Sequence, residues 1–145
     1  MVDPKKRNFN AYKNADLFKP NLKELREGLH KDIDLSDKLA FEDAVKSMMQ
    51  TMQLKHAMIT LSEKGVMITD GITFEYIPAH IRKIADVSGA GDTVISVTAL
   101  CFALKLNIKQ TAAMANLAGG LVCEEIGVVP INKAKLESEL NTLLF

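Results

Sequence analysis

The stretch from Asp86 to Thr93 reads Asp-Val-Ser-Gly-Ala-Gly-Asp-Thr, and the apolar run that follows it, residues 94–104, contains neither Gly nor Pro. This pattern predicts a glycine-rich turn that opens directly into a helix. Glycine allows a tight turn and a close approach of the backbone to a ligand. The first N–H groups of a helix lack partners within the helix, and the helix dipole favours negative charge beside them. The stretch therefore predicts an anion site of the kind that binds phosphate.

Asp92 lies in the predicted first turn of this helix, beside the N–H groups that lack partners. A carboxylate at a phosphate site can take a proton from an attacking hydroxyl group, which makes Asp92 a candidate general base. The simpler interpretation is that Asp92 only stabilises the helix start through the dipole and that the glycines only form a turn. Both interpretations predict the same turn and helix.

The composition excludes several classes of protein. The 145 residues correspond to one domain, and 18 basic against 18 acidic residues leave no net charge, which argues against a nucleic-acid partner. No apolar run reaches transmembrane length, and no signal-peptide pattern occurs. Cys101 and Cys123 lie in apolar, helix-like surroundings and are expected to be buried thiols, while the three histidines lack metal-ligand spacing. We expect a soluble, cytoplasmic α/β protein that binds neither nucleic acid nor a membrane.

The N-terminal part of the chain predicts short strands followed by a helix. Residues 1–5 resemble the end of a strand that has no beginning, and residues 15–20 form a second strand candidate. Asn21 is a good N-cap for a helix that reaches about Leu29. Glu24 stands at the third helical position, so that the pair has the pattern of a capping box.

A second helix is predicted from Ser36, as its cap, to about Met52. Its core face is predicted from apolar residues at helical spacing, namely Leu39, Ala44, Val45, Met48, Met49 and Met52. Strands are predicted at 56–61 and 66–69, and Asp70-Gly71 predicts a two-residue hairpin turn into a third strand.

Two helices are predicted near the C-terminus. Asn107 caps the first, which extends to about Glu125, and Asn132 starts the second. The first is rich in small residues, which allow close approach to a neighbouring element or to a flat ligand, and close packing is the commoner use.

The eight residues from Asp86 to Thr93 closely resemble the D-x-x-G-A-G-D signature of the ribokinase-like carbohydrate kinases, the phosphofructokinase B type. The resemblance implies a doubly wound, three-layer α/β/α fold with a mostly parallel sheet. Residues 1–145 would form its C-terminal, nucleotide-binding portion, with the sugar-binding half and the lid absent. ATP and Mg²⁺ are the implied cofactors.

In that family the last Asp of the signature is the catalytic base and the Gly-Ala-Gly amides form an anion hole for the transferred phosphoryl group. The corresponding residues are Asp92, Gly89, Ala90 and Gly91.

Other segments extend the resemblance and imply further site residues. The family carries N-x-x-E where this chain has Asn21 and Glu24, at the nucleotide phosphates, and its Glu orders magnesium through water; capping alone is the other interpretation, and both stay open. A T-x-G-x-x-G-like loop implies that Thr60 and Gly65 lie along the nucleotide, although Ser62 replaces the first glycine. Asn116 is implied to line the adenine pocket.

The substrate class is also implied by resemblance. Asp3-Pro4-Lys5, Lys19-Pro20-Asn21 and Ser62-Glu63-Lys64-Gly65 look most like the bacterial kinases that act on D-glycero-D-manno-heptose 7-phosphate, a step toward ADP-heptose and lipopolysaccharide. The alternatives that stay open are a related kinase for another sugar or nucleoside, a nucleotide-binding fragment without turnover, and a structural half that pairs with a separate chain. We expect the chain to self-associate or to require the missing N-terminal half.

Overall fold

The computed structural model describes residues 1–142, without the side chain of Lys6, and these residues divide into two compact units. The first unit contains residues 1–62 and 66–76, and the second contains residues 63–65 and the chain from Ile77 onward. None of the helices in this described part is long and apolar enough to cross a membrane.

The first unit is built on a small sheet with the strands β1 (Ala57–Thr60), β2 (Val66–Thr69) and β3 (Phe74–Ile77), in that order. Strands β1 and β2 are antiparallel, with Ala57 opposite Thr69. Earlier segments extend the layer in the parallel sense, because Phe18 forms bridges to Ala57 and to Val2. The two strand segments predicted near the N-terminus are therefore each reduced to a short parallel pairing, and β1 and β2 form a hairpin.

Two helices pack on this layer, α1 (Leu22–Leu29) and α2 (Lys38–Met52), and a 3-10 helix, Lys6–Ala11, precedes them. The predicted core face of α2 is confirmed at most positions, since Ala44, Val45, Met48, Met49 and Met52 are buried. The prediction for Leu39 is wrong, because its side chain is 75% exposed and Phe41 is buried in its place. Two residues along a helix correspond to a rotation of about 200°, so Leu39 and Phe41 lie on opposite faces.

The cap of α2 also differs from the prediction. Asp37, and not Ser36, is the N-cap, and its carboxylate accepts a hydrogen bond from Ala40 N at 3.0 Å. The hydroxyl of Ser36 instead donates to Asp34 Oδ2 at 2.7 Å. Because Ser and Asp both cap helices well, the conformation of the preceding loop determines which of the two neighbouring residues is the N-cap.

The connection between β2 and β3 has four residues, Asp70–Thr73, and not the predicted two. The Asp70 carboxylate accepts hydrogen bonds from Thr73 N at 2.7 Å and from Ile72 N at 2.9 Å, and Gly71 adopts a φ of +88°. The bond from Thr73 N, followed by that from Ile72 N, holds the pKa of Asp70 below its ordinary value. This side-chain turn replaces the tight hairpin turn that Asp-Gly predicts.

The second unit contains the helices α3 (Ala90–Ala103), α4 (Ile108–Val122) and α5 (Lys133–Leu140). Asn107 and Asn132 cap α4 and α5 through their side chains, as predicted, although α4 ends three residues before the predicted Glu125. Gly119 of α4 lies against α3, and a Cβ at this position would be 2.6 Å from Val94 Cγ2. The small residues of α4 therefore allow close helix packing, and Cys101 and Cys123 are buried thiols.

An ion-pair network joins the segment before α3 to the residues just after α4 and to α5. The guanidinium group of Arg82, whose side chain is 7% exposed, contacts Glu124 Oε1 at 2.8 Å and also pairs with Glu139. Lys135 pairs with the other carboxylate oxygen of Glu124. The hydrogen bond from Arg82 holds the pKa of Glu139 below its ordinary value. Within the second unit, this network fixes the chain that leads to the glycine turn.

Candidate functional site

The glycine turn before α3 has a conformation that its sequence dictates. Gly89 is the N-cap of α3, with φ +78° and ψ −6° in the left-handed region. A Cβ at Gly89 would lie 3.0 Å from Val128 Cγ1, so that conformation and space both favour glycine. The carboxylate of Asp86 accepts hydrogen bonds from Ser88 N at 2.9 Å and from Ser88 Oγ at 2.8 Å. The turn is thus shaped by Asp86 and Ser88 before the helix begins.

The amides at the start of α3 are only partly occupied by the chain. Ala90 N donates to Val87 O at 3.3 Å, which engages one of the three predicted anion-hole amides. The amides of Gly89 and Gly91, and that of Asp92, have no acceptor among residues 1–142. Because the helix dipole adds positive potential at the same place, these donors can bind an anion.

Asp92 lies in the first turn of α3, as predicted, and its side chain is exposed. In the described part of the chain, its carboxylate has no hydrogen-bond donor and no ion-pair partner. An uncommitted carboxylate beside anion-binding amides can accept a proton from a hydroxyl group placed between them. The structure places amides without acceptors beside an uncommitted carboxylate, and their roles as anion hole and general base stay predictions.

Asn21 and Glu24, in the first unit, form a complete capping box at the start of α1. Asn21 Oδ1 accepts from Glu24 N at 2.8 Å, and Glu24 Oε2 accepts from Asn21 N at 2.8 Å. Thr60 lies beside them, because it forms a bridge with Asn21 and its amide donates to Pro20 O at 3.2 Å. The structural interpretation of the N-x-x-E pattern is confirmed, and three predicted site residues come together here.

The capping box leaves one oxygen of Glu24, Oε1, without a hydrogen bond within residues 1–142. No group of three or more His, Cys, Asp or Glu side chains in this part is arranged to hold a metal ion. Mg²⁺ keeps several of its waters and commonly takes only one or two carboxylates besides phosphates. A single oxygen of Glu24 is therefore compatible with the predicted role through water, which stays a prediction.

Gly65 and Asn116, in the second unit, both contact residues 77–79. Gly65 has a φ of +89°, and a Cβ there would lie 2.0 Å from Ile77 O, so a side chain has no space. Asn116 Nδ2 donates to Pro78 O at 2.9 Å, which leaves its Oδ1 as the group that can face a ligand. The structure thus brings these two predicted nucleotide residues to one backbone segment, and their contact with a nucleotide stays a prediction.

Asp86 is the first residue of the signature, but the sequence alone assigns it no role. Its second carboxylate oxygen, Oδ2, accepts a hydrogen bond from Gly127 N at 3.0 Å, across 41 positions of the chain. The Asp-x-Ser pattern signals the local turn. No sequence pattern near Asp86 indicates its bond to Gly127, so only the folded chain reveals that partner.

Residues 3–135 match the family described as pfkB family carbohydrate kinase. The chain belongs to this family. Among curated proteins it is 34% identical, over 142 residues, to the bifunctional protein HldE of Campylobacter curvus, and the match covers 98% of this chain and 30% of that protein.

Solved structures show the same fold for this pfkB family chain. It is similar to phosphofructokinase-2 of Escherichia coli in complex with substrates and products, with a TM-score of 0.84, 18% identity, and coverage of 97% of this chain and 46% of that one. It is also similar to ribokinase of Thermotoga maritima, with a TM-score of 0.75, 18% identity, and coverage of 94% and 45%. The predicted ribokinase-like fold is confirmed. The chain spans about 30% of the curated relative and less than half of each solved kinase.

Proposed function

We propose that the protein transfers the γ-phosphoryl group of ATP to a sugar hydroxyl, with Asp92 as the general base. The start of α3 carries the proposal, since the amides of Gly89 and Gly91, which have no acceptor in the described chain, adjoin an uncommitted carboxylate. Membership of a family described as carbohydrate kinases supports it. Phosphoryl transfer is catalysed almost entirely by positioning and electrostatic stabilisation, which this pair of features provides.

Each group at the start of α3 has a role in the proposed reaction. Asp92 accepts the proton of the sugar hydroxyl as the hydroxyl oxygen attacks the γ-phosphorus, while the bond from that phosphorus to the bridging oxygen breaks and ADP leaves. The amides of Gly89, Ala90 and Gly91 stabilise negative charge on the transferred phosphoryl oxygens, with Ala90 first releasing its long 3.3 Å bond to Val87 O. Because these donors belong to the backbone of a helix start, they need little reorganisation when charge develops.

The remaining predicted residues are proposed to bind the nucleotide. In the first unit these residues are Asn21 and Thr60, and in the second unit they are Gly65 and Asn116, whose Oδ1 is available to a ligand. Mg²⁺ bound with the nucleotide supplies positive charge at the phosphates. Glu24, through its uncommitted oxygen, holds water of the ion's hydration shell.

For the acceptor, we propose a heptose 7-phosphate. The segments quoted above resemble the heptose kinases, and the curated relative bears the name bifunctional protein HldE. The pathway is then that of ADP-heptose, and the cytoplasm, where ATP is available, is the proposed compartment. Another sugar or a nucleoside is the alternative, because the resemblance to the heptose kinases rests on three short segments.

A second candidate function is nucleotide or phosphate binding without turnover by this chain alone. The amides without acceptors at the start of α3 favour it, since they can bind an anion whether or not a sugar is positioned beside them. In that case a partner polypeptide, or a second copy, completes the acceptor site.

Titration of the ¹⁵N-labelled chain with MgATP and with inorganic phosphate tests the proposal. The backbone signals of Gly89, Gly91 and Asp92 should shift most. The start of α4 is an internal control, because it is capped by the Asn107 side chain and has no glycine turn. Unchanged signals at an ordered glycine turn at saturating MgATP would contradict the proposed function.

A further inference from the structure

Ser62 has a backbone conformation that its place in the chain does not explain. Its φ is +55°, and four other non-glycine residues among residues 1–142 also have a positive φ. One of them is Asn14, of a type that tolerates the left-handed region. The other three follow the ends of helices, where this conformation is common, namely His30, Gln53 and Lys105. Ser62 instead follows β1, so no helix end accounts for it.

The left-handed conformation of Ser62 is strained, and nothing in the described chain offsets the strain. The Cβ of serine crowds the backbone in this region, whereas glycine adopts it freely. The side chain of Ser62 is exposed, and its hydroxyl has no hydrogen bond with any of residues 1–142. Strain that persists without a local benefit points to a function of the side chain.

The position of Ser62 indicates which ligand its hydroxyl meets. Asn21 and Thr60 form a parallel bridge, so their two segments reach the same edge of the layer in the first unit. Ligands of open α/β sheets bind beyond the carboxyl ends of parallel strands. Ser62 is two residues beyond Thr60, so its Cα lies within about 7 Å of the Thr60 Cα. The hydroxyl is therefore close to the capping box of Asn21 and Glu24.

We propose that the Ser62 hydroxyl donates a hydrogen bond to a phosphate oxygen of bound ATP. The inference rests on the proposed function, in which Glu24 holds water of the Mg²⁺ that accompanies the phosphates. A glycine at position 62 would offer a ligand only its backbone, whereas serine adds a hydroxyl donor that rotates toward an acceptor. Hydrogen bonds to charged groups are stronger than neutral ones, so this bond offsets the strain when the nucleotide is bound.

Two substitutions separate the hydroxyl from the strain. Ser62→Gly removes both, and Ser62→Ala removes the hydroxyl but keeps a Cβ in the left-handed region. We expect both variants to bind MgATP about tenfold more weakly in an NMR titration. The urea midpoint should rise in Ser62→Gly and stay close to normal in Ser62→Ala. A variant that is more stable but binds more weakly identifies a residue retained for function.

Gln53→Gly is the matched control. Gln53 belongs to the same unit, is exposed and has a φ of +56°, almost that of Ser62. Its replacement by glycine should raise the urea midpoint in the same way and leave the affinity for MgATP unchanged. Adenosine is the second control, because it lacks phosphates, and its affinity should be equal in Ser62→Ala and in the unmodified chain.

The outcomes distinguish the inference from the function on which it rests. Normal MgATP affinity in Ser62→Ala would overturn the inference alone, as would a loss of adenosine affinity by the same factor. A lower urea midpoint in Ser62→Gly would also overturn it, because the hydroxyl would then stabilise the chain itself. Failure of the unmodified chain to bind MgATP would overturn the proposed function, and with it the inference.

Discussion

Asp92 is the residue whose chemistry the proposed reaction depends on most. Activity is best measured on a complemented kinase, which we define as this chain co-expressed with the part of a longer pfkB family carbohydrate kinase that the chain does not match. In this assembly, Asp92→Asn should lower kcat about 10²–10⁴-fold, because the amide keeps the shape but cannot accept the hydroxyl proton. The KM values for ATP and sugar should change little.

Glu125→Gln is a suitable control for Asp92→Asn, since Glu125 is an exposed carboxylate of the same unit. Its kcat should stay normal. If Asp92→Asn retained near-normal turnover in a coupled ADP-release assay, Asp92 would be reduced to a residue that stabilises the helix start.

Gly65 and Gly71 form a matched pair for testing backbone constraint. Their φ values are +89° and +88°, but a Cβ at Gly65 would lie 2.0 Å from Ile77 O, whereas one at Gly71 would meet only Met49 Cε at 3.7 Å. Gly71→Ala should lower the free energy of unfolding by about 1–2 kcal/mol, because alanine is strained in the left-handed conformation. Gly65→Ala should cost about 2–5 kcal/mol, because overpacking adds to the same strain. Urea denaturation measures both, and equal losses would contradict the close approach.

At single positions, the sequence predicts what is encoded locally. The turn at Gly89 and the placement of Asp92 follow from adjacent residues, and the structure has both. The bond between Asp86 and Gly127 depends on how α4 returns to the turn, and no local pattern contains that information. The wrong prediction for Leu39 has a related cause, because helical spacing is compatible with more than one buried face and tertiary packing selects the face of Phe41.

At the scale of elements, the start of α1 allows capping and magnesium binding to be separated. Glu24→Gln keeps the capping box, because Gln serves at this position as well, and should change stability by less than about 0.5 kcal/mol. If Glu24 also orders the metal's water, kcat of the complemented kinase should fall about 10–100-fold. Asn21→Ala is the control that breaks the cap and should cost about 1 kcal/mol. Normal kcat in Glu24→Gln would leave capping as the residue's function.

The ion pairs of α5 predict a pH-dependent stability of the second unit. The pKa of Glu139 is lowered in the folded chain by the hydrogen bond from Arg82. This pair therefore stabilises the fold above the ordinary Glu pKa, and the stabilisation is lost as the pH falls through the lowered value. Glu139→Gln should cost about 1 kcal/mol at pH 7 and progressively less on acidification.

Glu137→Gln provides the control for Glu139→Gln. Glu137 is on the same helix, and its contact with Lys133 is 3.6 Å long and exposed, so its loss should have little effect at any pH. Urea unfolding at several pH values distinguishes the two variants. A cost of Glu139→Gln that did not shrink in acid would contradict the ionic origin.

The elements themselves were largely predictable, because their starts carry strong caps. The sequence predicts three Asn caps, and each side chain accepts a hydrogen bond from the third residue of its helix, as seen for Asn21, Asn107 and Asn132. The cap of α2 and the β2–β3 connection were not, since Ser36 and Asp37 are both good caps and Asp70 can shape a two-residue or a four-residue turn. The conformation of the loop before α2 decides the first case, and the pairing of β2 with β3 decides the second.

At the scale of the whole molecule, we predict that the 145-residue chain alone does not phosphorylate a sugar. Phosphoryl transfer requires the acceptor oxygen in line with the γ-phosphate and water excluded, and the chain matches less than half of each solved kinase. The second unit exposes large apolar side chains, including Leu100, Leu104 and Ile81, so we expect self-association in the absence of a partner. Light scattering measures the association, and ADP release with heptose 7-phosphate measures the turnover.

Complementation should restore turnover and suppress self-association together, because the same apolar faces become covered. A monomer with full kinase activity would contradict this prediction, since these residues would then position the acceptor by themselves.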